Sequence, residues 1–507
     1  MQTPVLVVGG GPAGLVAALG LTRRGVGVRL LERAEGPSVA SRAKGLQPRT
    51  LEMLEQLGVL EEILAAGGRF PRWRSYRSGE LAWEKSIYEL LGTGDPVATT
   101  AIPYPETWMV AQWRTEDILR RALSARGVEV EYGSALDTVD QDGDSVTATI
   151  RRSGGSEQIR ASYVVAADGA ASTVRGLLGI SFDGRTREDE RFLTADVRTA
   201  DLDREFWHNW SKPDDPAARV SICPLPGTDT FQFVAPLAPD EIAPELTLPT
   251  LQRLFEERSG DTAVRFTDAP WITLHRTNER LASRFRDGRV FLVGDAAHAV
   301  PAAGGQGLNT AVQDSHNLTW KLAAVLDGAP AQLLDSYEEE RRPIAARLMA
   351  GLSTADEHGE TPDIFQLRNN YRARGLSAET RTAPGGVRAG DRAPDGPLKL
   401  EGGAAQRVFD LLRDAELTCL TFGSRAAGSV NSVARHHHSN IKVQVLEVPR
   451  NSPATADILQ ATYDVTVGDE IAFLVRPDGY IGFAADNNIA EALHDYLSRL
   501  LGGSEKH

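Results

Sequence analysis

A chain of 507 residues is too long for one ordinary domain and is expected to fold as two or three. Its net charge of −14, with 41% hydrophobic residues, suits a globular protein and argues against a nucleic-acid-binding surface. Cys223 and Cys419 alone make neither a disulfide framework nor a cysteine metal site, no leader precedes the first strand, and no apolar run approaches the roughly 18 residues of a membrane span, so a cytoplasmic protein without membrane association is expected.

Pro4 to Val8 predicts a strand buried on both faces, Gly9, Gly11 and Gly14 form G-x-G-x-x-G, and Leu15 to Arg24 has helical composition. In that order, Gly9 lets the chain reverse, Gly11 lets a pyrophosphate approach the backbone, and Gly14 lets the helix pack on the strand. The N–H groups at the helix start would face the phosphates. Val26 to Leu31 predicts a second strand, and Glu32, about twenty residues after the glycines, is placed to accept from ribose hydroxyls. A Rossmann-like dinucleotide site is the expectation.

Thr50 to Gly58, with Leu51, Leu54 and Leu57 at helical spacing, predicts an amphipathic helix. Arg42 and Lys44 in the loop before it are either solvated charges or contacts to an anionic cofactor. Residues 69–107 predict short strands and loops, and a helix begins near Val110 and runs to about Arg126. Val128 to Tyr132 and Ser145 to Arg151 alternate as strands do, with a turn at Asp142-Gly143. Tyr163 to Ala166 predicts a buried strand ending at Asp168-Gly169. The carboxyl ends of such strands line a ligand crevice, so Asp168 either faces a cofactor or closes a turn.

From Phe182 to about Ile272 the alternation predicts an antiparallel sheet that covers the crevice and forms a substrate wall. Trp207, His208, Trp210, Phe231, Phe233, Trp271 and His275 are its candidates, although most aromatics in such a sheet are core. Gly288 to Val293 predicts a strand stopping at Gly294-Asp295, and Gly304-Gly305-Gln306-Gly307-Leu308-Asn309 leads into a helix through Asp314, Trp320 and Lys321. Asp295 can accept from a sugar or ribityl hydroxyl, and His298 reads as a packed histidine. Leu333 to Leu352 is helical, Thr382 to Pro397 predicts a linker, and Leu417 to Phe422, Lys442 to Val448, Ile471 to Val475 and a helix from Ile489 to Leu501 predict a further small α/β domain. His436-His437-His438 reads as a solvated loop rather than a metal site, since adjacent histidines cannot converge without partners.

The glycine turn with Glu32-Arg33, Asp168-Gly169, and Gly294-Asp295 with the Gly-Gly-Gln-Gly-Leu-Asn after it resemble the class A flavoprotein monooxygenases, in their phenol hydroxylase and polyketide hydroxylase branch. Arg42-Ala43 before Arg49 to Glu52, and Gln112 with Glu116, extend the likeness over residues 1–350. The resemblance implies an α/β fold: an FAD-binding domain over residues 1–180 and 276–385, an antiparallel-sheet substrate domain over 181–275, and a thioredoxin-like domain over 386–507 that lacks a C-x-x-C pair.

It further implies that Gly9, Gly11, Gly14 and Glu32, with Arg33 beside them, hold the ADP end of FAD. Arg42 and Gln112 would contact its middle, Asp168 and Asp295 would seat it, and Gly305, Gly307, Leu308 and Asn309 would run along the flavin ring. Pro301, Gly304 and Gly305 would form the ring-side loop, where Ala302 stands in place of a proline usual in the family. Phe231, Phe233, Trp271 and His275 remain the substrate candidates. With no second G-x-G-x-x-G, NADPH or NADH would reach the flavin only transiently, and O2 would form a C4a-hydroperoxide that hydroxylates an electron-rich aromatic ring. The resemblance names no catalytic acid or base, no metal and no oligomeric state. Alternatives are a non-catalytic FAD-binding sensor, and an epoxidase or antibiotic-inactivating monooxygenase. The Trp-x-Trp-x-Ile-Pro run of flavin halogenases and the His-x-x-x-Trp-Pro segment of Baeyer–Villiger enzymes are absent.

Overall fold

The computed structural model describes residues 2–92, 94–212, 215–238, 241–301, 305–351, 363–372, 374–398, 406–413, 416–435, 443–448, 456–466 and 468–502. Three main sheets organise them. In the first, Gln2–Val8 pairs in parallel with Val28–Leu31 on one side and Gly155–Ala166 on the other, and Val290–Leu292 continues beyond Gly155–Ala166. Val5, Leu6 and Val7 are fully buried, as a strand covered on both faces requires. The Pro12–Thr22 helix starts with proline at its first position, where the missing N–H costs nothing, and is apolar around its whole girth. It is therefore enclosed, between the sheet and the Gln306–Leu326 helix. Gly20 fits against Thr319 there, and Ser315 Oγ donates to the carbonyl of Ala13 at 2.9 Å.

The second sheet has eight strands, in the order His298–Ala299, Asp268–Ala282, Phe182–Arg198, Thr230–Leu237, Asp215–Pro224, Phe206–Lys212, Arg72–Arg77 and Glu80–Lys85. It is antiparallel apart from the pairing of Phe206–Lys212 with Arg72–Arg77, which runs parallel and brings the expected short strands of the 69–107 region into the sheet. One face packs on the Leu248–Ser259 helix, which the alternation argument missed. Its signals are local: Thr247 caps it through the N–H of Thr250, and Gly260 ends it at φ 74°.

The third sheet runs Ala378–Glu379, Ile481–Ala485, Ile471–Val475, Leu417–Phe422 and Val443–Val448, flanked by the Ser424–Ala434 and Ile489–Leu501 helices. Residues 382–397 do not form a loose tether. Ala389 and Ala393 are buried, and Gly390 and Ala393 donate their N–H groups to the carbonyls of Ile481 and Gly479. The third sheet is locked to the Gln306–Leu326 helix by fully buried charges. Arg476 binds Glu340 at 2.6 Å and Asp478 on its own hairpin, Lys321 binds Glu340 at 2.8 Å, and Trp320 Nε1 donates to Asp478 at 3.1 Å. Cys223 and Cys419 are free and buried in different sheets. Among the described residues no helix is long and apolar enough to cross a membrane, and no cluster could hold a metal. His436, His437 and His438 lie outside the described residues.

Candidate functional site

Loop 41–47 ties the first sheet's domain to the second sheet, where Gln232 bonds both Lys44 and the Ser41 carbonyl, and the candidate crevice is the space between the carboxyl ends of the first sheet and that face of the second. At its floor the glycine turn is forced by packing. Gly9 has φ +110°, a Cβ on Gly14 would lie 1.8 Å from the Gly9 carbonyl oxygen, and a Cβ on Gly11 would meet nothing within 4 Å. The first and third glycines thus let helix and strand touch, and the middle one leaves the helix N-terminus open to an anion. Glu32 Oε2 accepts from the N–H of Gly10 at 2.7 Å and Oε1 from that of Ala34 at 2.8 Å, which fixes the carboxylate beside the turn. Arg33 is exposed.

Loop 41–47 forms a side wall. Gln112, at the start of the Gln112–Ser124 helix, accepts from the N–H of Ala43 at 3.0 Å and donates to Glu116 at 2.8 Å. Its amide is thereby committed to holding the loop. Burial raises the Glu116 pKa, Gln112 and Arg120 lower it, Glu32 raises it and Arg42 lowers it, so these charges share one neighbourhood. Arg42 itself is exposed.

Asp295 stands in the turn after Val290–Leu292. Its side chain is open to solvent but walled in by protein, and that desolvation raises its pKa against the pull of His298, Arg42 and His275. Desolvation and the Arg42 charge lower the pKa of His275, which is also exposed at the crevice. Three residues far apart in sequence, Arg42, His275 and Asp295, are therefore electrostatically coupled.

Two of the expected contacts have other duties. Asp168 Oδ1 accepts from Ser172 Oγ and Oδ2 from the N–H of Val174 at 3.1 Å, so its half-buried carboxylate closes the turn into the Thr173–Leu177 helix. Asn309 is fully buried, accepts from the N–H of Gln47 at 2.8 Å and donates to the carbonyls of Gly45 and Gly305. It fastens the Gln306–Leu326 helix to loop 41–47 and has no surface left for a ligand. Gly305 is exposed at φ 64° as the residue preceding that helix, and Gly307, Leu308 and Pro301 are half-buried. Gly304 lies outside the described residues, as does Ala302.

Strand parity corrects the substrate wall. Phe231 and Phe233 are fully buried on the outer face with Trp210, packed with Phe255 of the Leu248–Ser259 helix, and Phe233 meets Phe266 edge-on at 6.0 Å. His208 shares that parity and stacks near Tyr76. These side chains are core because side chains alternate along a strand and theirs point away from the crevice. The inner face carries a lateral row instead. Trp73 pairs with Trp207, Cys223 with Gln232, Gln232 with Asp196 and Asp196 with Trp271, and the register of His208 opposite Ile222 sets Trp207 beside Cys223. His275, opposite Phe192, has the same parity.

Lys44 reaches onto this row. Its ammonium donates to Gln232 Oε1 and lies 4.0 Å from the Trp207 ring centroid, and Gln232 Nε2 donates to the Ser41 carbonyl. Asp196 Oδ1 is buried with no hydrogen-bond partner, and burial pushes its carboxyl up to about 6. Gln232 and Asp196 were not foreseen. The signal was available: polar residues at inward parity within apolar strands. Open glycine backbone, Glu32, exposed Arg42 and walled-in Asp295 together suit an elongated ligand with phosphates in its middle and hydroxyls on either side.

A sequence profile for an FAD binding domain matches residues 2–351, and one for the C-terminal domain of aromatic-ring hydroxylases matches residues 387–504. A flavin-dependent monooxygenase of Mycobacteroides abscessus is 42% identical, covering 98% of this chain and 100% of its own. The chain belongs to the class A flavin-dependent aromatic monooxygenases. As a member of that family it uses FAD, and its three-sheet architecture is that of FAD-dependent hydroxylases. The flavin-dependent monooxygenase PieE, solved with FAD and substrate, is similar at a TM-score of 0.85 with 25% identity, over 99% of both chains. Aklavinone-11 hydroxylase, solved with FAD and aklavinone, is similar at 0.80 with 28% identity, again over 99% of both chains.

Proposed function

We propose that this monooxygenase consumes NADPH or NADH and O2 to hydroxylate an electron-rich aromatic ring of phenolic or polyketide type. The observation that carries the reading is the glycine turn with Glu32 fixed beside it, set with the inner-face row of Trp207, Gln232, Asp196 and Trp271 on the second sheet, while Arg42, Asp295 and His275 are coupled electrostatically. Substrate recognition by polycyclic hydroxylases of similar fold supports the polyketide class.

Gly9, Gly11, Gly14 and Glu32 would hold the ADP end of FAD, Arg42 would neutralise its phosphates, and Asp295 would accept from its hydroxyls. Gly305, Gly307 and Leu308 border the ring. Gln112 and Asn309 act at one remove, by fixing the loops that touch the cofactor. The chemistry that FAD would supply at this site is electron acceptance from a reduced nicotinamide and activation of O2 for oxygen transfer. The chain's own contribution is placement and shelter. Trp271 and His275 present one edge of the substrate pocket, the inner face of the second sheet excludes bulk water, and backbone N–H groups orient the cofactor without needing to reorganise. With no second dinucleotide motif in the chain, the nicotinamide coenzyme acts as a transient visitor.

The test is NADPH and NADH oxidation by FAD-loaded protein, with and without a panel of phenols and polycyclic phenols. At least one compound should accelerate oxidation and leave as a product one oxygen atom heavier. Oxidation indifferent to every compound, with none altered, would favour the FAD-binding sensor instead.

A further inference from the structure

The most unusual group in the crevice is Lys44. A lysine that comes out of water normally finds a carboxylate, because desolvating an unpaired ammonium is costly. Lys44 has no carboxylate in ion-pair contact among the described residues. Its visible partners are a neutral amide oxygen, on Gln232, and the face of Trp207. The third neighbour, the Cys223 thiol, is pushed by burial up to about 11 and so is uncharged near neutral pH.

Desolvation pulls the Lys44 pKa down, and Cys223 and Asp196 pull it only partly back. The amide that holds the ammonium is itself held, through Gln232 Nε2 and the Ser41 carbonyl. The lysine is thus pre-aimed yet retains donor capacity. Its surroundings suit a flat ring: Trp73 and Trp207 lie 4.6 Å apart between centroids, Phe70 lies 5.5 Å from Trp207, and all three are half-buried. Two positions along the row from Trp207, Gln232 adjoins Asp196, a buried carboxyl that interacts with Ser41 and Lys44 and whose Oδ1 has no hydrogen-bond partner.

We propose that Lys44 is a specificity-determining residue: its ammonium, presented between Trp207 and Gln232 on the inner face of the second sheet, binds an acidic oxygen substituent of the aromatic substrate. The substituent is a phenolate, an enolate or a ring carboxylate, and the substrate is therefore selected in its ionised form. The inference rests on the hydroxylase reading for the identity of the ligand as substrate, but binding can be measured apart from turnover. Asp196 supplies a nearby counter-charge without reaching ion-pair contact with Lys44, and the bound anion adds the direct partner. It also fixes the ring's rotation against the tryptophan pair, and so fixes which ring carbon is presented to the reacting centre.

The test uses FAD-loaded protein and three ligands of one shape: naphthol, its methyl ether, and naphthoate. Binding is followed by the change in flavin absorbance. Wild-type protein should bind naphthol or naphthoate about tenfold or more tighter than the ether, as a charge-assisted hydrogen bond implies. Naphthol and naphthoate report the phenolate and carboxylate sources separately. Lys44→Met should abolish that preference and Lys44→Arg should keep part of it, each at normal flavin content.

The wild-type comparison needs no variant: equal affinity for all three ligands, or binding of none, overturns the proposal. Retention of the preference by Lys44→Met also overturns it. Preference without any turnover of naphthol or other phenols would instead leave the lysine's role standing and sink the hydroxylase reading.

Discussion

His298 Nε2 lies 2.6 Å from Asp314 Oδ2, and the other oxygen of the same carboxylate accepts from Arg341 Nε at 2.7 Å. Asp314 also takes the N–H of Gly294 at 3.2 Å, so one buried residue of the Gln306–Leu326 helix holds the turn that carries Asp295. Burial alone would raise the Asp314 pKa, but His298 and Arg341 outweigh it and keep the carboxylate below its ordinary value. Asp314→Asn leaves Arg341 buried without its counter-charge. We expect a loss of about 3 kcal/mol in urea unfolding, together with weaker FAD retention. Unchanged stability would mean that the carboxylate is not the anchor of that turn.

No protein hydrogen bond to the Asp295 carboxylate is seen among the described residues, and its desolvation disfavours the charge, so it should matter mainly to the cofactor. Asp295→Ala should fold with a near-normal melting temperature yet lose FAD during purification, a fall in affinity of about tenfold or more. Full flavin occupancy in the purified variant would contradict the placement. Gly14→Ala is the harsher control, because its Cβ would sit 1.8 Å from the Gly9 carbonyl and the first turn could not close.

The two faces of the second sheet should separate in their effects. Phe233→Ala removes a fully buried ring and should cost about 3–5 kcal/mol without altering the ranking of substrates. Trp271→Leu, on the inner face, should change KM and the ranking with a smaller effect on melting. The opposite pattern would return Phe233 to the substrate wall.

Asp196 sets a pH dependence. Its folded pKa is raised from 3.8 to about 6, chiefly by burial, so the folded chain keeps a proton that the unfolded chain releases in that window. Stability therefore falls as the pH climbs through it, and the penalty persists above. Asp196→Asn removes the term, so its stability relative to wild type should rise by roughly 2–3 kcal/mol between about pH 4 and about pH 7. Parallel stability curves for the two proteins would refute the shift.

Much of this architecture was legible in order along the chain. Gly9, Gly11, Gly14 and Glu32 could be placed from spacing alone because strand, turn and helix are local and close-packed, and the strands Leu417–Phe422 and Ile471–Val475 follow short apolar runs. Non-local pairing was not legible. Nothing near Arg72–Arg77 announces that it will pair in parallel with Phe206–Lys212, and Phe231 could not be assigned to a face until the register with Phe182–Arg198 was known. Asp168 and Asn309 sit where a ligand contact is expected, but nearby N–H groups, an hydroxyl and carbonyls take up their polar atoms, which no single-residue argument foresees. The buried charges of the Gln306–Leu326 helix, Asp314 and Lys321, were visible as residues. Their partners Arg341 and Glu340 are brought in only by the tertiary fold.

The C-terminal sheet should stabilise the cofactor site through Arg476. Arg476→Met leaves two fully buried carboxylates, Glu340 and Asp478. Among the described residues Lys321 is then the one cation still bonded to Glu340, and Asp478 keeps only neutral donors, among them Asn317 and Trp320 of the Gln306–Leu326 helix. We expect a loss of about 3–5 kcal/mol and faster proteolysis between the second and third sheets. Wild-type resistance to protease would argue that the lock is dispensable.

The central claim is that FAD bound in this crevice transfers oxygen from O2 to an aromatic ring. Its most direct measurement is the mass of the product formed by the FAD-loaded protein with NADPH and a phenol that accelerates NADPH oxidation, under isotopically heavy O2. The account predicts a product that has gained one heavy oxygen atom. A product carrying oxygen from water, or an unaltered phenol with all reducing equivalents recovered as hydrogen peroxide, would contradict it.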